Sequence, residues 1–346
     1  MKLLILGGTG LSGTAITTEA LTRSHDVVAV HRGHTDTLRN LGDDDRLLDY
    51  VHDRSDGHRA LVMQGPFDAI IDVSARVPAW VADAVRTLDA GDPWWVQVSS
   101  VSAYGDLSQA GPVESDPVAT FSDPTLELRA TTDMKLPPSY DWYAAGKAAC
   151  ERLLLESPRR VNRSTVLRPV LITGAHDSTW RVPWWVKRIA DGGTCIAPPA
   201  ADLIQVLDAR DLASLVLDAV EHRIAGVYNA APTPGAQTVG TLIEACTAAA
   251  VAAGHEPAQV VHVPAQLLAE HGVEPWSDLP AWIPDGAGYT GMVTARTELV
   301  EEVFEFTARP LAQTAEWVLD WIGSGTAGEP AGGLDRAREQ ELLAAC

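Results

Sequence analysis

The stretch "KLLILGGTGLSG", Lys2–Gly13, decides the fold. Its first half is a short unbroken apolar run, the pattern of a strand covered on both faces. Its second half is a turn with Gly7, Gly10 and Gly13 spaced three apart. Gly7 permits a tight turn at the strand end, Gly10 lets a pyrophosphate approach the backbone, and Gly13 lets the next helix pack close to the strand. That helix offers unpaired N–H groups and its positive dipole end to an anion. A lone glycine trio is weak evidence, but placed between the first strand and the first helix of a βαβ pattern it points to a dinucleotide. Gly7, Thr9, Gly10, Leu11, Ser12 and Gly13 are therefore candidate cofactor contacts.

Further along, "DVVAV" (Asp26–Val30), "FDAIIDVSA" (Phe67–Ala75), "WWVQVSS" (Trp94–Ser100) and "STVLRPVLI" (Ser164–Ile172) read as more buried strands. Helical patterns over Gly13–Ser24, Pro78–Ala90 and Tyr140–Glu156 lie between them. The alternation predicts an α/β protein with a doubly wound parallel sheet of Rossmann type and right-handed crossovers. Beyond Thr173 the regularity loosens. Residues 1–173 read as the NADP-binding domain and 174–323 as a smaller C-terminal α/β substrate-binding region, with 204–231 returning to the first core. The Gly/Ala-rich run opening 324–346 predicts a flexible tail, within which "LDRAREQELLAAC" could form a short helix.

The composition excludes several classes of function. A formal charge of −20 is unsuited to nucleic acid or to an anionic membrane surface. The mean hydropathy near zero and 46% apolar content fit a soluble globular chain. The four cysteines form no CxxC pair and no zinc-type spacing, so no metal site is expected. The apolar run at the N-terminus is too short for a signal peptide, and no stretch reaches transmembrane length. The expected setting is the cytoplasm and the expected partner a small molecule.

The second strand ends in "AVHRGHT", with no acid for a ribose hydroxyl but with Arg32, whose guanidinium can grip a 2′-phosphate. This favours NADP(H). Asp53 and Arg54 of "HDRSD" fall where an adenine-contacting loop would lie. Ser74, Ala75, Ser99, Pro169 and Leu171, near the carboxyl ends of buried strands, complete the candidate cofactor set.

For chemistry, "YAAGK" sets Tyr143 and Lys147 one helical turn apart on one face. The cation there favours a phenolate, as a general acid at neutral pH requires. A hydroxyl partner is available in "QVSSVSAYG", which offers Ser99, Ser100, Ser102 and Tyr104.

These features, in this order, resemble the extended and atypical short-chain dehydrogenase/reductases, the NAD-dependent epimerase/dehydratase-like family. The likeness covers roughly residues 1–322 and includes "LRPVLITG" and "QVLDARDLA". It implies Tyr143 as proton donor to a substrate oxygen, Lys147 on the nicotinamide ribose, and Ser100 hydrogen-bonded to the same oxygen. It also implies pairing of two copies through helices, for which "YAAGKAACERLLLE" offers a homodimer surface.

Epimerases of the family usually carry Asn where Leu171 stands. "RPVLITG" and "HRG" look closer to the bacterial branch related to isoflavone reductases. The favoured reading is thus an NADPH-dependent ketoreductase acting on a small or medium organic molecule. Its alternatives are a nucleotide-sugar epimerase/dehydratase with tightly bound NAD and a non-catalytic dinucleotide sensor. Eleven tryptophans against four phenylalanines either fill a core or a subunit interface or grip a ring-shaped substrate, in which case Trp142, Trp180, Trp184 and Trp185 would hold it with Ser102 beside them. Trp276 and Trp282 form a further cluster.

Overall fold

The computed structural model describes residues 1–34, 37–42, 44–330 and 332–345. Strand β1 (Lys2–Leu6) leads through the glycine turn into helix α1 (Gly10–Thr22), followed by β2 (Asp26–His31), β3 (Leu47–Val51) and β4 (Ala69–Asp72). Next come α2 (Pro78–Thr87), β5 (Trp94–Val98), α3 (Pro124–Thr132), α4 (Tyr143–Leu155) and β6 (Ser164–Pro169). The side chains of β1 alternate between two layers, as the period of a strand requires. Leu3 and Ile5 pack with Ile16 and Ala20 of α1, whereas Leu4 and Leu6 pack with Ala84 of α2 and Leu154 of α4.

The rest of the chain adds β7 (Leu171–Thr173), α5 (Arg181–Ala190), β8 (Thr194–Ala197), β9 (Val206–Asp208), α6 (Ala209–Glu221) and β10 (Gly226–Ala230). It continues with α7 (Val239–Ala252), β11 (Gln259–His262), α8 (Ala265–Glu270), α9 (Glu298–Phe304), α10 (Leu311–Gly323) and α11 (Arg336–Ala345). The main sheet has seven parallel strands in the order β10-β6-β5-β4-β1-β2-β3. This is the doubly wound Rossmann arrangement, whose order reverses at β1 and β4 and so opens a crevice at their carboxyl ends.

Helix α6 and strand β10 belong to this first core. Arg23 at the end of α1 bonds Asp218 of α6 at 2.6 Å and Glu221 at 2.9 Å. A second core gathers α5, α7 and α10 around the β8–β11 pair; Val182, Trp185, Val186 and Ile189 supply the apolar stripe of α5.

Several sequence boundaries shift. The run Ser164–Ile172 is two strands, not one. Pro169 has no N–H to continue the ladder, and after Val170 the chain turns away so that β7 pairs with β9. Helix α3 was not anticipated, yet it has a clear start. Asp123 accepts a bond from the Thr125 N–H at 2.8 Å, and Pro124 occupies the first helical position. It packs against α2, with Ala130 buried beside Trp80 and Trp142. Helix α4 lies beneath this layer, with Tyr143, Ala144, Arg152, Leu153 and Leu155 half-buried and the rest of it buried.

The tail expected to be flexible is docked instead. Glu339 of α11, 2% exposed, accepts from Arg188 at 2.6 Å and 2.9 Å and from the Ile196 N–H at 3.1 Å. An apolar anchor, Leu342, is buried in the second core. The composition of 324–346 concealed this, because one buried carboxylate and a few leucines, Leu334 and Leu342 among them, carry the docking. Ala331 and Cys346 of that segment lie outside the described residues.

Candidate active site

A cleft of about 1080 Å³ opens at the carboxyl edge of the main sheet, between the two cores. Its floor is the glycine turn. Gly7 and Gly10 have φ of +93° and +73°, which side-chain-bearing residues rarely adopt. A Cβ on Gly13 would lie 2.0 Å from the Gly7 carbonyl oxygen, so the helix start and the turn touch backbone to backbone. Over Gly10 there is open space. Thr9, at the N-cap of α1, makes no side-chain cap bond, and the first turn carries no acid. The turn therefore fits a pyrophosphate, with the helix dipole facing it, and the Gly10 N–H donates to the Thr37 hydroxyl at 3.3 Å. All six candidate residues of the turn line the cleft.

At one end the wall is basic. Arg32 is exposed on it and, among the described residues, makes no hydrogen bond or ion pair. His31, His34 and His52 stand around it. His31 and His34 flank Arg32 in "HRGH", so their proximity was readable; His52 opens "HDRSD", the loop expected near the adenine, from which Asp53 and Arg54 are the expected contacts.

The expected adenine contacts divide. Arg54 lines the cleft but is engaged, bonding Asp72 at 2.7 Å and 2.8 Å and the Ser74 hydroxyl at 2.8 Å while lying over the Trp80 ring. Asp53 does not line it. Its carboxylate caps the following turn through the Ser55 N–H at 2.8 Å, and that bond, helped by the nearby charge of Arg32, holds it below the usual carboxylate range. Ser74, Ser99, Pro169 and Leu171 line the cleft, whereas Ala75 is fully buried behind it.

Helix α4 starts at Tyr143, whose ring faces the cleft. Lys147 follows one turn later, 3% exposed, its Nζ donating to the Val98 carbonyl at 2.9 Å and lying 5.9 Å from the Tyr143 ring centroid. Ser100 caps the short turn after β5, accepting from the Ser102 N–H at 3.1 Å. That bond uses a lone pair and leaves the Ser100 hydroxyl proton free to donate into the cleft. Ser102 lines the cleft as well.

Beneath these groups lies a buried ion pair that sequence reading overlooked. Arg168 of β6 bonds Glu151 of α4 at 2.7 Å, and Glu151 accepts a further bond from Ser99. Glu151 sits one turn beyond Lys147, so the face that carries the reactive groups also carries their anchor.

The proposed tryptophan wall is corrected. Trp180, Trp184 and Trp185 are 3%, 5% and 1% exposed and belong to the cores; the Trp185 indole N–H donates to the Pro280 carbonyl. Trp142 is packed between α2 and α3. None of the four lines the cleft. Trp184 and Trp185 face inward from α5, whereas Trp142 and Trp180 precede the first residues of α4 and α5; in all four a large apolar ring serves packing. Trp276 lines the cleft instead, with Arg181 stacked on it at 4.7 Å. Pro275, Ile283, Pro284, Tyr289 and Met292 make the surrounding wall apolar. Nearby Asp177 is buried, which pushes its carboxyl above the usual range despite two bonds from Thr179.

Fold and site together define a dinucleotide-binding protein of the Rossmann class. The model of the NAD dependent epimerase/dehydratase family matches residues 3–231, and the chain belongs to that family. No curated protein matches this sequence. Among solved structures it is similar to the dTDP-glucose 4,6-dehydratase of Bacillus anthracis in complex with NAD, at 14% identity over 99% of each chain with a TM-score of 0.64. It is also similar to the UDP-glucose 4-epimerase of Thermotoga maritima, at 16% identity over 94% of this chain and 99% of that one, TM-score 0.63. The UDP-Glc/GlcNAc 4-epimerase of Campylobacter jejuni gives 16% identity over 93% and 99%, TM-score 0.64. At such identities the likeness is one of fold. Among the described residues no helix is long and apolar enough to cross a membrane, and no group of three metal-ligating side chains is assembled.

Proposed function

We propose that the protein is a nicotinamide-dinucleotide enzyme that exchanges hydride at a carbon bearing a hydroxyl or carbonyl group, in the manner of the epimerases and dehydratases of its family. The observation that carries this reading is the convergence of Tyr143, Ser100 and the glycine turn on one cleft. A bound dinucleotide supplies the hydride exchange. Tyr143 gives a proton to, or takes one from, the substrate oxygen, and Ser100 donates a hydrogen bond to that oxygen. The Lys147 ammonium beneath the ring favours the negative charge that Tyr143 carries once its proton has left.

The family match supports an epimerase or dehydratase that retains NAD over the carbonyl-reductase reading. The test is the cofactor content of the freshly purified, denatured protein. Released NAD near one per chain is expected; an empty protein that binds and releases NADPH freely would turn the reading to the second one. That second reading, NADPH-dependent carbonyl reduction, is favoured by one observation, the unengaged guanidinium of Arg32 at the end of β2.

A further inference from the structure

We infer that the substrate is a planar aromatic molecule carrying a single anionic group, a carboxylate in the simplest case, laid on the Trp276 indole with its charge at Arg181. The inference rests on the hydride-exchange reading of the same cleft and concerns what lies opposite the dinucleotide.

Nine of the eleven tryptophans are buried in the packing; Trp276 and Trp317 are not. Trp317 does not line the cleft, and Gly174 is pressed so close to its ring that a Cβ there would meet it at 2.1 Å. Trp276 is the half-buried one that lines the cleft. Its backbone has φ +69°, a conformation costly for a bulky residue and met chiefly where surrounding structure enforces it for use.

The enforcement is visible. The Trp276 N–H donates to the Trp282 carbonyl at 3.1 Å, and Trp282 is itself 2% exposed and pinned by its indole N–H to Asp202 at 2.8 Å. The backbone that carries the Trp276 ring is therefore held before anything binds, and Arg181 stacks on the ring itself. A ring so held loses little freedom on stacking with a flat ligand. Around it Ile283, Pro284 and Met292 offer apolar contact, and Tyr289 adds a ring that carries a hydroxyl.

The charge of the ligand follows from Arg181. Its guanidinium lies over Trp276 and, among the described residues, makes no hydrogen bond or ion pair. Asp177, the carboxylate that feels its charge, faces Thr173 and Thr179 and bonds them. Of the other basic side chains that line the cleft, Arg54 is engaged with Asp72, Arg32 and three histidines stand around the end of β2, and Arg76, on the loop after β4, makes no hydrogen bond or ion pair among the described residues. One free guanidinium matches one carboxylate in a two-pronged bond.

The experiment uses the full chain, saturated with whichever dinucleotide it binds, and calorimetric titration with 2-naphthoate, neutral 2-naphthylmethanol and UDP. The expected result is saturable binding of 2-naphthoate and binding of the neutral analogue about tenfold weaker. Arg181→Gln should bring naphthoate to the level of the alcohol without affecting the alcohol. Trp276→Leu should weaken both, Trp276→Phe should largely retain both, and dinucleotide affinity should be unchanged in all three variants. UDP binding more tightly than naphthoate and weakening with Arg181→Gln would overturn the inference in favour of a nucleotide-linked substrate. Naphthoate binding indifferent to either residue would overturn it too. Failure of the wild type to bind any dinucleotide would instead strike the hydride-exchange reading, which the naphthoate titration, run also without cofactor, leaves separately measured.

Discussion

The Lys147 ammonium donates to the Val98 carbonyl at 2.9 Å, from within the contact between α4 and β5. It therefore sits under the phenol of Tyr143 instead of beside it in the cleft, and its charge acts through the ring's position from a place water does not reach.

Lys147→Met should cost about 1–3 kcal/mol of stability, because the Val98 carbonyl loses a charged buried donor. Turnover should also fall by about 10²–10³, the typical effect of removing one fixed electrostatic group from a reacting centre. Urea unfolding and turnover of the same preparation check the two effects. Unchanged turnover with lowered stability would make Lys147 a packing residue only.

Glu151→Ala strands the Arg168 guanidinium, 3% exposed, without its carboxylate. The expected loss is about 3–5 kcal/mol. The paired change Glu151→Leu with Arg168→Met should recover most of it, since a buried ion pair is often replaceable by apolar side chains of similar size. Denaturation midpoints at constant m-value give the comparison.

Arg32→Ala should weaken NADPH far more than NADH, by about tenfold or more if the guanidinium meets a 2′-phosphate. Direct titration with both nucleotides reads this out. Equal effects on the two would remove Arg32 from the adenosine site.

Gly13→Ala and Gly10→Ala should fail in different ways. At Gly13 the new Cβ would meet the Gly7 carbonyl oxygen at 2.0 Å, so the turn cannot close and the fold itself suffers. At Gly10 the space is open, so the cost is the strained φ of +73°, roughly 1 kcal/mol, together with an obstacle where the pyrophosphate approaches. Melting curves should separate them, with Gly10→Ala folded but impaired in dinucleotide binding.

His58 is buried against Asp83, its Nδ1–H 2.8 Å from the carboxylate. Burial, and then the charge of Arg54, pulls its pKa below the ordinary 6.5. The folded protein thus binds this proton less readily than the unfolded chain does. The associated stability is fully present above 6.5 and is lost as pH falls through that value towards the folded one. His58→Gln should flatten stability measured between about pH 7 and 5, the range in which histidines titrate; an unchanged slope would assign the loss to other groups.

The first half of the chain was largely readable because its signals are local. Apolar runs, a glycine trio with fixed spacing and Tyr143–Lys147 on one helix turn each declare themselves within a dozen residues. The tryptophans misled because ring content says nothing about direction. Trp184 and Trp185 follow each other on α5, and both turn into the second core. Trp276 reaches the cleft through a backbone conformation that no residue pattern announces. The Glu151–Arg168 pair joins positions 17 apart on different elements, and Glu339 meets Arg188 across 151 residues. Contacts of that span depend on topology, which sequence patterns do not encode residue by residue.

The chain is stitched through both cores more than once. It leaves the main sheet after β6, returns at Asp208 into α6 and β10, and departs again towards α7, while the Thr314 hydroxyl of α10 bonds back to Asp208 at 2.8 Å. The two walls of the cleft are thus bound like the boards of a book sewn along several threads. Any swing that widens the mouth must flex these joints together, so the rate at which a product escapes is set in part by their shared stiffness, at positions that never meet the molecule leaving.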